Sequence, residues 1–314
     1  MATMASPIKN VVIIGCHSRQ KLTSVFQAGG NLGRTVLKEF LTSSFDVTIL
    51  SRAESKTVFP DGTKVVKTDY SPESLRSAFA GKDVIVSIVS AEGHEGQKTV
   101  IDAAISAGVK RFIPSDFGSD TSKAEVLDAV PFLIEKRKIV DYLRTKEDNI
   151  TWTALVNSAF FDWTLKFGIL GPDLEKRQAT IWDDGDVRFA ATNLNTIGKA
   201  LVAILSGGSY EKTKNQYVRI ASHVQSQNDI LESLRRITGE EWPVTARQDL
   251  GAHIKSTQEK VAQGHSEASE GLLLGILFGK KNLAIYGPLR NEELGLPREK
   301  LDDSVRAVLE GRQP

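Results

Sequence analysis

Four glycines near the start of the chain, Gly15, Gly29, Gly30 and Gly33, have the residue type and the order of a phosphate cradle. In a nucleotide-binding strand–turn–helix unit, the first glycine makes the tight turn that leaves the strand. A second lets the backbone approach a pyrophosphate, and a third lets the helix pack on the strand. Residues 11–14 (VVII) read as a buried strand running into Gly15, and AGGNLGR at 28–34 reads as the start of a helix. Between them lie twelve residues, 16–27, polar and cationic. Without them the text is VVIIG-AGGNLGRTVLKEFL, a G-x-G-G-x-x-G pattern. It assigns Gly15, Gly29, Gly30, Asn31, Leu32 and Gly33 to a dinucleotide pyrophosphate.

The next strand ends VTILSRAES, residues 47–55. An enzyme that prefers the unphosphorylated dinucleotide usually places Asp or Glu here, on the ribose hydroxyls. Ser51 and Arg52 stand there instead, and a guanidinium suits a 2′-phosphate, with Lys56 able to assist. The cofactor implied is NADP(H). The plainer alternative is a solvated arginine at a strand end.

These residues need a scaffold, and the first half of the chain supplies its pattern. Strands are predicted at 11–14, 47–50, 64–68, 84–89, 111–114 and 152–156, and helices at 33–41, 72–80, 99–107 and 133–143. Ser71 is a plausible cap for the helix at 72 and Gly108 a stop for the helix before it. Strict βα alternation, with VIVSIV at 84–89 almost wholly apolar, implies an α/β fold: a Rossmann-type, doubly wound parallel sheet. From about residue 159 the rhythm loosens into a smaller α+β lobe suited to substrate, interleaved with the nucleotide-binding part at 8–158. Helices are expected at 195–205, 229–238 and 301–309. Strands at 179–181 and 187–190 flank Asp183-Asp184-Gly185-Asp186, which reads as a hairpin turn; the cluster lacks the later bidentate Glu of a calcium loop.

Bulk properties narrow the function. The 314 residues are 40% hydrophobic and 25% charged, with formal net charge +1, so there is no electrostatic signature of a nucleic-acid binder. One cysteine excludes an internal disulfide, and the five histidines have no metal spacing. No apolar run approaches the ~20 residues of a membrane span. The first ten residues lack a secretory signal, so a cytoplasmic protein is expected. His94, after the fourth strand, lies near the expected cofactor edge as a contact or a solvated loop residue.

The chain resembles the NmrA-like, isoflavone reductase-like branch of the atypical short-chain dehydrogenases, in particular its fungal members. The resemblance rests on AGGNLGR (28–34), Arg52, GKDVIVSIVS (81–90), residues 97–102, AGVKRFIPSDFG (107–118), PFLIEKRKIVDYL (131–143) and NEELGLPREKLDDSVRAVL (291–309). KRFIPSDFG is the most specific piece. The resemblance implies that Lys136 sits beside the nicotinamide as general acid/base, with Lys138 as second choice. It also implies that the loop at 156–161 lines the nicotinamide and substrate, with Phe160 stacking there or simply packing in the core. Two departures stand out: Val140 replaces a basic residue, and Lys56 alone answers to a second phosphate-binding lysine. The Tyr-x-x-x-Lys of ordinary short-chain dehydrogenases recurs at Tyr142 and Lys146, but at the wrong end of its helix. If Lys136 is the equivalent lysine, the tyrosine position is Phe132, which cannot transfer a proton.

The resemblance implies a small-molecule substrate, neither nucleic acid nor membrane, and NADPH-dependent reduction of an aromatic or conjugated molecule. Its alternative is a non-catalytic NADP-sensing regulator that binds a protein partner. The segment 16–27 bears on both. Lengthening a turn by twelve residues costs about 2 kcal/mol of loop closure, against a domain stability of ~5–15 kcal/mol. The fold is expected to survive, whereas a flap carrying Arg19, Lys21 and Phe26 at the pyrophosphate is expected to weaken cofactor binding. Its codons permit the branch and end signals of a fungal-type intron, so retained intron sequence and a genuine loop both remain open.

Overall fold

The computed structural model describes residues 8–15, 29–89, 93 and 96–314. The segment 16–27 and His94 lie outside the described residues. The first half runs β1 (Asn10–Ile14), α1 (Gly29–Leu41), β2 (Asp46–Arg52), β3 (Lys64–Thr68), α2 (Pro72–Phe79), β4 (Val84–Ser87), α3 (Gln97–Ser106), β5 (Arg111–Ile113), α4 (Ala124–Ala129), α5 (Ile134–Arg144) and β6 (Thr151–Val156). The second half runs β7 (Ala159–Phe160), α6 (Phe161–Lys166), β8 (Pro172–Asp173), β9 (Gln178–Trp182), β10 (Phe189–Thr192), α7 (Leu194–Ile204), α8 (Ser209–Lys212), β11 (Gln216–Arg219), β12 (His223–Gln225), α9 (Gln227–Thr238), β13 (Val244–Gln248), α10 (Leu250–Ala262), α11 (Leu273–Phe278) and α12 (Leu301–Leu309).

Among the described residues, seven strands form one parallel sheet in the order β11-β6-β5-β4-β1-β2-β3. The period-two alternation of β1 decides its two faces. Val11 and Ile13 pack with Leu32, Val36 and Phe40 of α1 and with Ile197 and Leu201 of α7. Val12 and Ile14 pack with Leu75 and Phe79 of α2, Ile101 of α3 and Leu143 of α5. All four β1 valines and isoleucines are fully buried, as a doubly covered parallel strand requires. Ser71 caps α2 by accepting from the Ser74 amide at 3.3 Å, and Gly108 (φ +77°) ends the turn after α3.

The chain returns to the main sheet late. α7 covers the α1 face and β11 adds the strand beyond β6, so elements after residue 159 complete the sheet begun before it. Two smaller sheets, β12-β10-β7 and β13-β9-β8, surround a third apolar core that includes Phe161, Phe189, Ile230, Trp242 and Phe278.

One expectation is overturned here. Strands β9 and β10 do not form a hairpin: β9 pairs with β8 and β13, and β10 with β7 and β12. Asp183-Asp184-Gly185-Asp186 is a turn, but one that carries the chain from one sheet to the next. Its carboxylates serve as local acceptors, Asp183 Oδ1 for the Leu250 amide at 3.0 Å and Asp186 Oδ1 for Asn228 Nδ2 at 2.6 Å. The partner that displaces β10, β13, lies some sixty residues downstream, beyond the reach of a local pattern.

Arg111, inside KRFIPSDFG, is a structural staple. Fully buried, it donates to Thr151 Oγ1 at 2.9 Å and Thr213 Oγ1 at 3.2 Å, with its guanidinium 3.9 Å from the Tyr210 ring centroid. It ties β5 to the segment that precedes β11.

Gly15 ends β1 at φ +92°, and a Cβ added there would stand 2.3 Å from the Ile88 carbonyl oxygen. Neighbouring backbone occupies the space, and it cannot yield because Ile88 N donates to Ile14 O at 2.8 Å. Gly15→Ala combines backbone strain with overlap and should cost about 3 kcal/mol of stability. Urea denaturation of the two chains, compared at equal m-value, measures it.

Candidate functional site

The expected cofactor residues all fall along the carboxyl edge of the sheet, where an open α/β sheet binds ligands at the point its strand order reverses. That reversal is at β1, whose neighbours are β2 and β4. Gly15 leaves β1 there. Gly29, Gly30, Asn31, Leu32 and Gly33 form the first turn of α1, with Leu32 and Gly33 buried. Arg52 ends β2, and Lys56 follows on the next loop; both are exposed. Phe160, partly buried, sits in β7 and packs against the α1 face of the core. The fit to an NADP-type dinucleotide is good at two points. Gly15 makes the turn off β1 where no Cβ fits, and β2 ends on the cation Arg52 rather than on an acidic residue, Glu54 following two positions later.

Lysine 67 joins that second point. From β3, in register with Ser51, its ammonium donates to the Ser55 carbonyl at 2.6 Å and reaches Ser51 Oγ at 3.4 Å. It anchors the loop that presents Lys56. No residue pattern singled it out, because its position opposite Ser51 is a matter of strand register.

The ends of β5 and β6 are knotted together by backbone. Gly118 N donates to Asn157 Oδ1 at 3.0 Å, and Gly118 O accepts from the amides of Asn157 at 3.2 Å and Ser158 at 2.9 Å. Thr192 Oγ1 of β10 donates to the Asn157 carbonyl at 2.7 Å. Ser115 Oγ donates to the Val89 carbonyl at 2.8 Å, and the Ser115 amide to Gln97 Oε1 at 3.0 Å, which joins β5 to the β4 end and to α3.

Lys136 projects from the first turn of α5 into this loop. Its Nζ donates to the Phe117 carbonyl at 2.6 Å and passes 3.9 Å from where a Cβ on Gly118 would be. Burial pulls the ammonium below the ordinary lysine value, and the charge of Asp116 opposes that pull. Lys138 does not share the position: exposed, it pairs with Glu135 at 2.7 Å. Tyr142 donates to Asp102 of α3 at 2.6 Å, away from the loop, so the Tyr142–Lys146 spacing is not an active-site pair. Phe132 lies one turn before Lys136 and is 37% exposed.

Asp116 was not singled out from the sequence, although KRFIPSDFG contains it. It is 1% exposed, and Thr121 Oγ1 donates to its Oδ2 at 2.8 Å, with Tyr217 Oη 3.1 Å from the same hydroxyl. Its Oδ1 is buried with no hydrogen-bond partner among the described residues. Burial pushes the carboxyl up to about 7, while Lys136 and the Thr121 bond pull it down. Among the described residues no group of three or more His, Cys, Asp or Glu could hold a metal, and no helix is long and apolar enough to cross a membrane.

A profile of the NmrA-like family matches residues 19–248. The chain belongs to the NmrA-like family. An Aspergillus flavus protein named oxidoreductase aprR is 37% identical over 302 residues, covering 91% of this chain and 98% of that one. Oxidoreductase poxI of Penicillium oxalicum is 31% identical over 299 residues, covering 92% and 94%. Among solved structures, AtPrR2 with NADP+ and (+)pinoresinol superimposes with a TM-score of 0.75 at 19% identity, covering 97% of this chain and 100% of that one. A ternary complex of leucoanthocyanidin reductase from Vitis vinifera gives 0.75 at 18%, covering 96% and 99%. The NmrA-like chain thus has the fold of reductases solved with NADP+ or NADPH bound.

Because the folded protein holds the Asp116 proton more tightly than the unfolded chain, whose carboxyl titrates near 3.8, that contribution to stability is complete below pH 3.8. It is lost as pH rises through about 7. Asp116→Asn keeps the shape without the charge. Its stability relative to the unmodified chain should therefore rise between about pH 5 and about pH 8, by at most a few kcal/mol. Urea denaturation at the two pH values checks the sign.

Proposed function

We propose that this chain is a cytosolic NADPH-dependent reductase of an aromatic or conjugated small molecule, with Lys136 as its general acid. The observation that carries the reading is the seat of Lys136: a partly buried ammonium, held by a backbone carbonyl at the sheet's carboxyl edge, with its proton loosened by burial. The names and bound cofactors of the relatives support the same reading.

NADPH, when bound, supplies a hydride. Gly15 and the first turn of α1 take the pyrophosphate, and Arg52 with Lys56 takes the 2′-phosphate. The Phe117 carbonyl would hold the Lys136 ammonium in place by accepting one N–H, leaving another to donate to a substrate oxygen. Lys136 would donate the proton to that oxygen, and solvent would restore the lysine. Phe160 and Phe132 offer apolar surface to the ring of the substrate.

Lys136→Met should lower turnover by about 10²–10⁴-fold while leaving NADPH affinity within a few-fold. Following NADPH oxidation across a panel of aromatic ketones and conjugated carbonyls tests this; equal rates in the two chains would sink it. Phe132, standing where a proton-donating tyrosine would be, favours a second reading: a regulator that binds NADPH and a protein partner without turnover. NADPH binding with no oxidation across the panel would support it.

Residues 16–27 stand in the sequence between Gly15 and α1, where the glycine pattern calls for a tight turn. A chain lacking them should bind NADPH at least tenfold more tightly. Cofactor fluorescence titration of both chains measures this, and equal affinities would overturn it.

A further inference from the structure

The buried carboxylate at residue 116 has no role in the pyrophosphate site or in packing, and burying it is unfavourable unless something nearby uses its charge. Three features define its surroundings. One oxygen, Oδ2, is fixed by the Thr121 hydroxyl, which is itself placed by Tyr217. The other, Oδ1, has no partner among the described residues and is shielded from solvent. The residue next in sequence is Phe117, whose carbonyl holds the Lys136 ammonium at 2.6 Å.

We propose that Asp116 is the positioning residue of Lys136: its charge, oriented by Thr121 and unspent on any other hydrogen bond at Oδ1, holds the lysine proton over Gly118. This rests on the reading of Lys136 as general acid. Without an opposing charge, burial would loosen the lysine proton further. With a full ion pair it would hold the proton too firmly. Asp116, itself reluctant to ionise because of its burial, gives an intermediate hold.

Other charged and titratable groups face the pair. Arg137 of α5 lies on the same helix, donating to the carbonyls of Thr121 and Ser122 and pairing with Asp141. Asp120 is fully buried but paired with Arg219 of β11 at 2.8 Å. Tyr217 of β11 and Tyr286 are both pushed up by burial and stay neutral. The Asp120 charge is met by Arg219 and that of Arg137 by Asp141. Asp116 is therefore the carboxylate left to act on Lys136.

The test reads the lysine directly and needs no substrate. Trace acetylation of the full chain with acetic anhydride, quantified at Lys136 by peptide mass spectrometry across a pH series, gives the midpoint at which the amine becomes reactive. Asp116→Asn should move that midpoint down by about one pH unit or more, since the favourable charge is gone. Thr121→Val should move it the same way by less, because an unsupported carboxyl ionises less readily. Lys138, exposed and paired elsewhere, should keep its midpoint in every chain and serves as the internal reference. Near-ultraviolet circular dichroism establishes that each variant is folded. If Asp116→Asn does not fold, the Thr121→Val midpoint decides. An unchanged Lys136 midpoint in the folded variants overturns the proposal, whatever NADPH turnover shows. A shifted midpoint in a chain with no turnover would uphold it while removing the reductase reading.

Discussion

The Gly118 carbonyl accepts from two successive amides, those of Asn157 and Ser158, while Asn157 returns its side-chain oxygen to the Gly118 amide. Three hydrogen bonds thus join the loop after β5 to the loop after β6, and the geometry has a cost. Gly118 stands at φ +120°, open to glycine because it lacks a Cβ, and Ser158 at φ +53°, a left-handed conformation uncommon for a residue with a side chain. The knot fixes the direction of the preceding carbonyl, Phe117, and that carbonyl fixes Lys136. A lysine on the first turn of a helix would ordinarily sweep a wide volume of solvent. Here its reach is closed by a backbone acceptor whose position depends on two strands at once. The hydrogen bonds at this corner of the fold thus set where the lysine at the candidate site is held.

Electrostatics around the knot oppose stability and favour chemistry. Asp116 and Asp120 lie within one short loop, both essentially inaccessible to water. Asp120 is compensated by Arg219, so its burial resembles an ordinary internal ion pair. Asp116 is compensated only in part, by Thr121 at one oxygen and by the nearby lysine charge. A carboxyl raised by burial beside an ammonium lowered by burial is an arrangement in which each group weakens the other's reluctance to ionise. Such mutual adjustment is characteristic of sites that move protons, although structural networks can produce it too.

Much of the scaffold was legible because its strands are short apolar runs bounded by turn residues, and strict βα alternation implies a parallel sheet. β1 to β6 and four of the five helices between them appear where the pattern puts them, within a few residues, while α4 had no counterpart in the pattern. What was illegible depends on distance along the chain. β11 reads as an unremarkable QYVR, and nothing local says that it completes a sheet begun two hundred residues earlier. The β9–β10 hairpin failed for the same reason, since turn chemistry describes a bend but not which strands meet across it. At the site, Gly15, Arg52 and Lys136 could be named because residue type and position, or family resemblance, single them out. Asp116 and Lys67 could not: an aspartate in PSDFG and a lysine in KVVKT look solvated until burial and register are known.

Fold and ligand site place different demands on the chain between Gly15 and α1. α1 is held to the sheet by Leu32, Val36 and Phe40 against Val11 and Ile13, and by α7 on its outer side, where Gln313 also reaches Thr35 Oγ1 at 2.8 Å. None of those contacts uses the connection itself. A longer connection therefore adds only loop-closure entropy, which grows as the logarithm of length, and the packed helix is indifferent to it. A phosphate cradle is the opposite case. Its donors are the amides of the connection and of the helix's first turn, and it works only when the two are brought to one point. Helix packing and a phosphate cradle thus make different demands on the same stretch of chain.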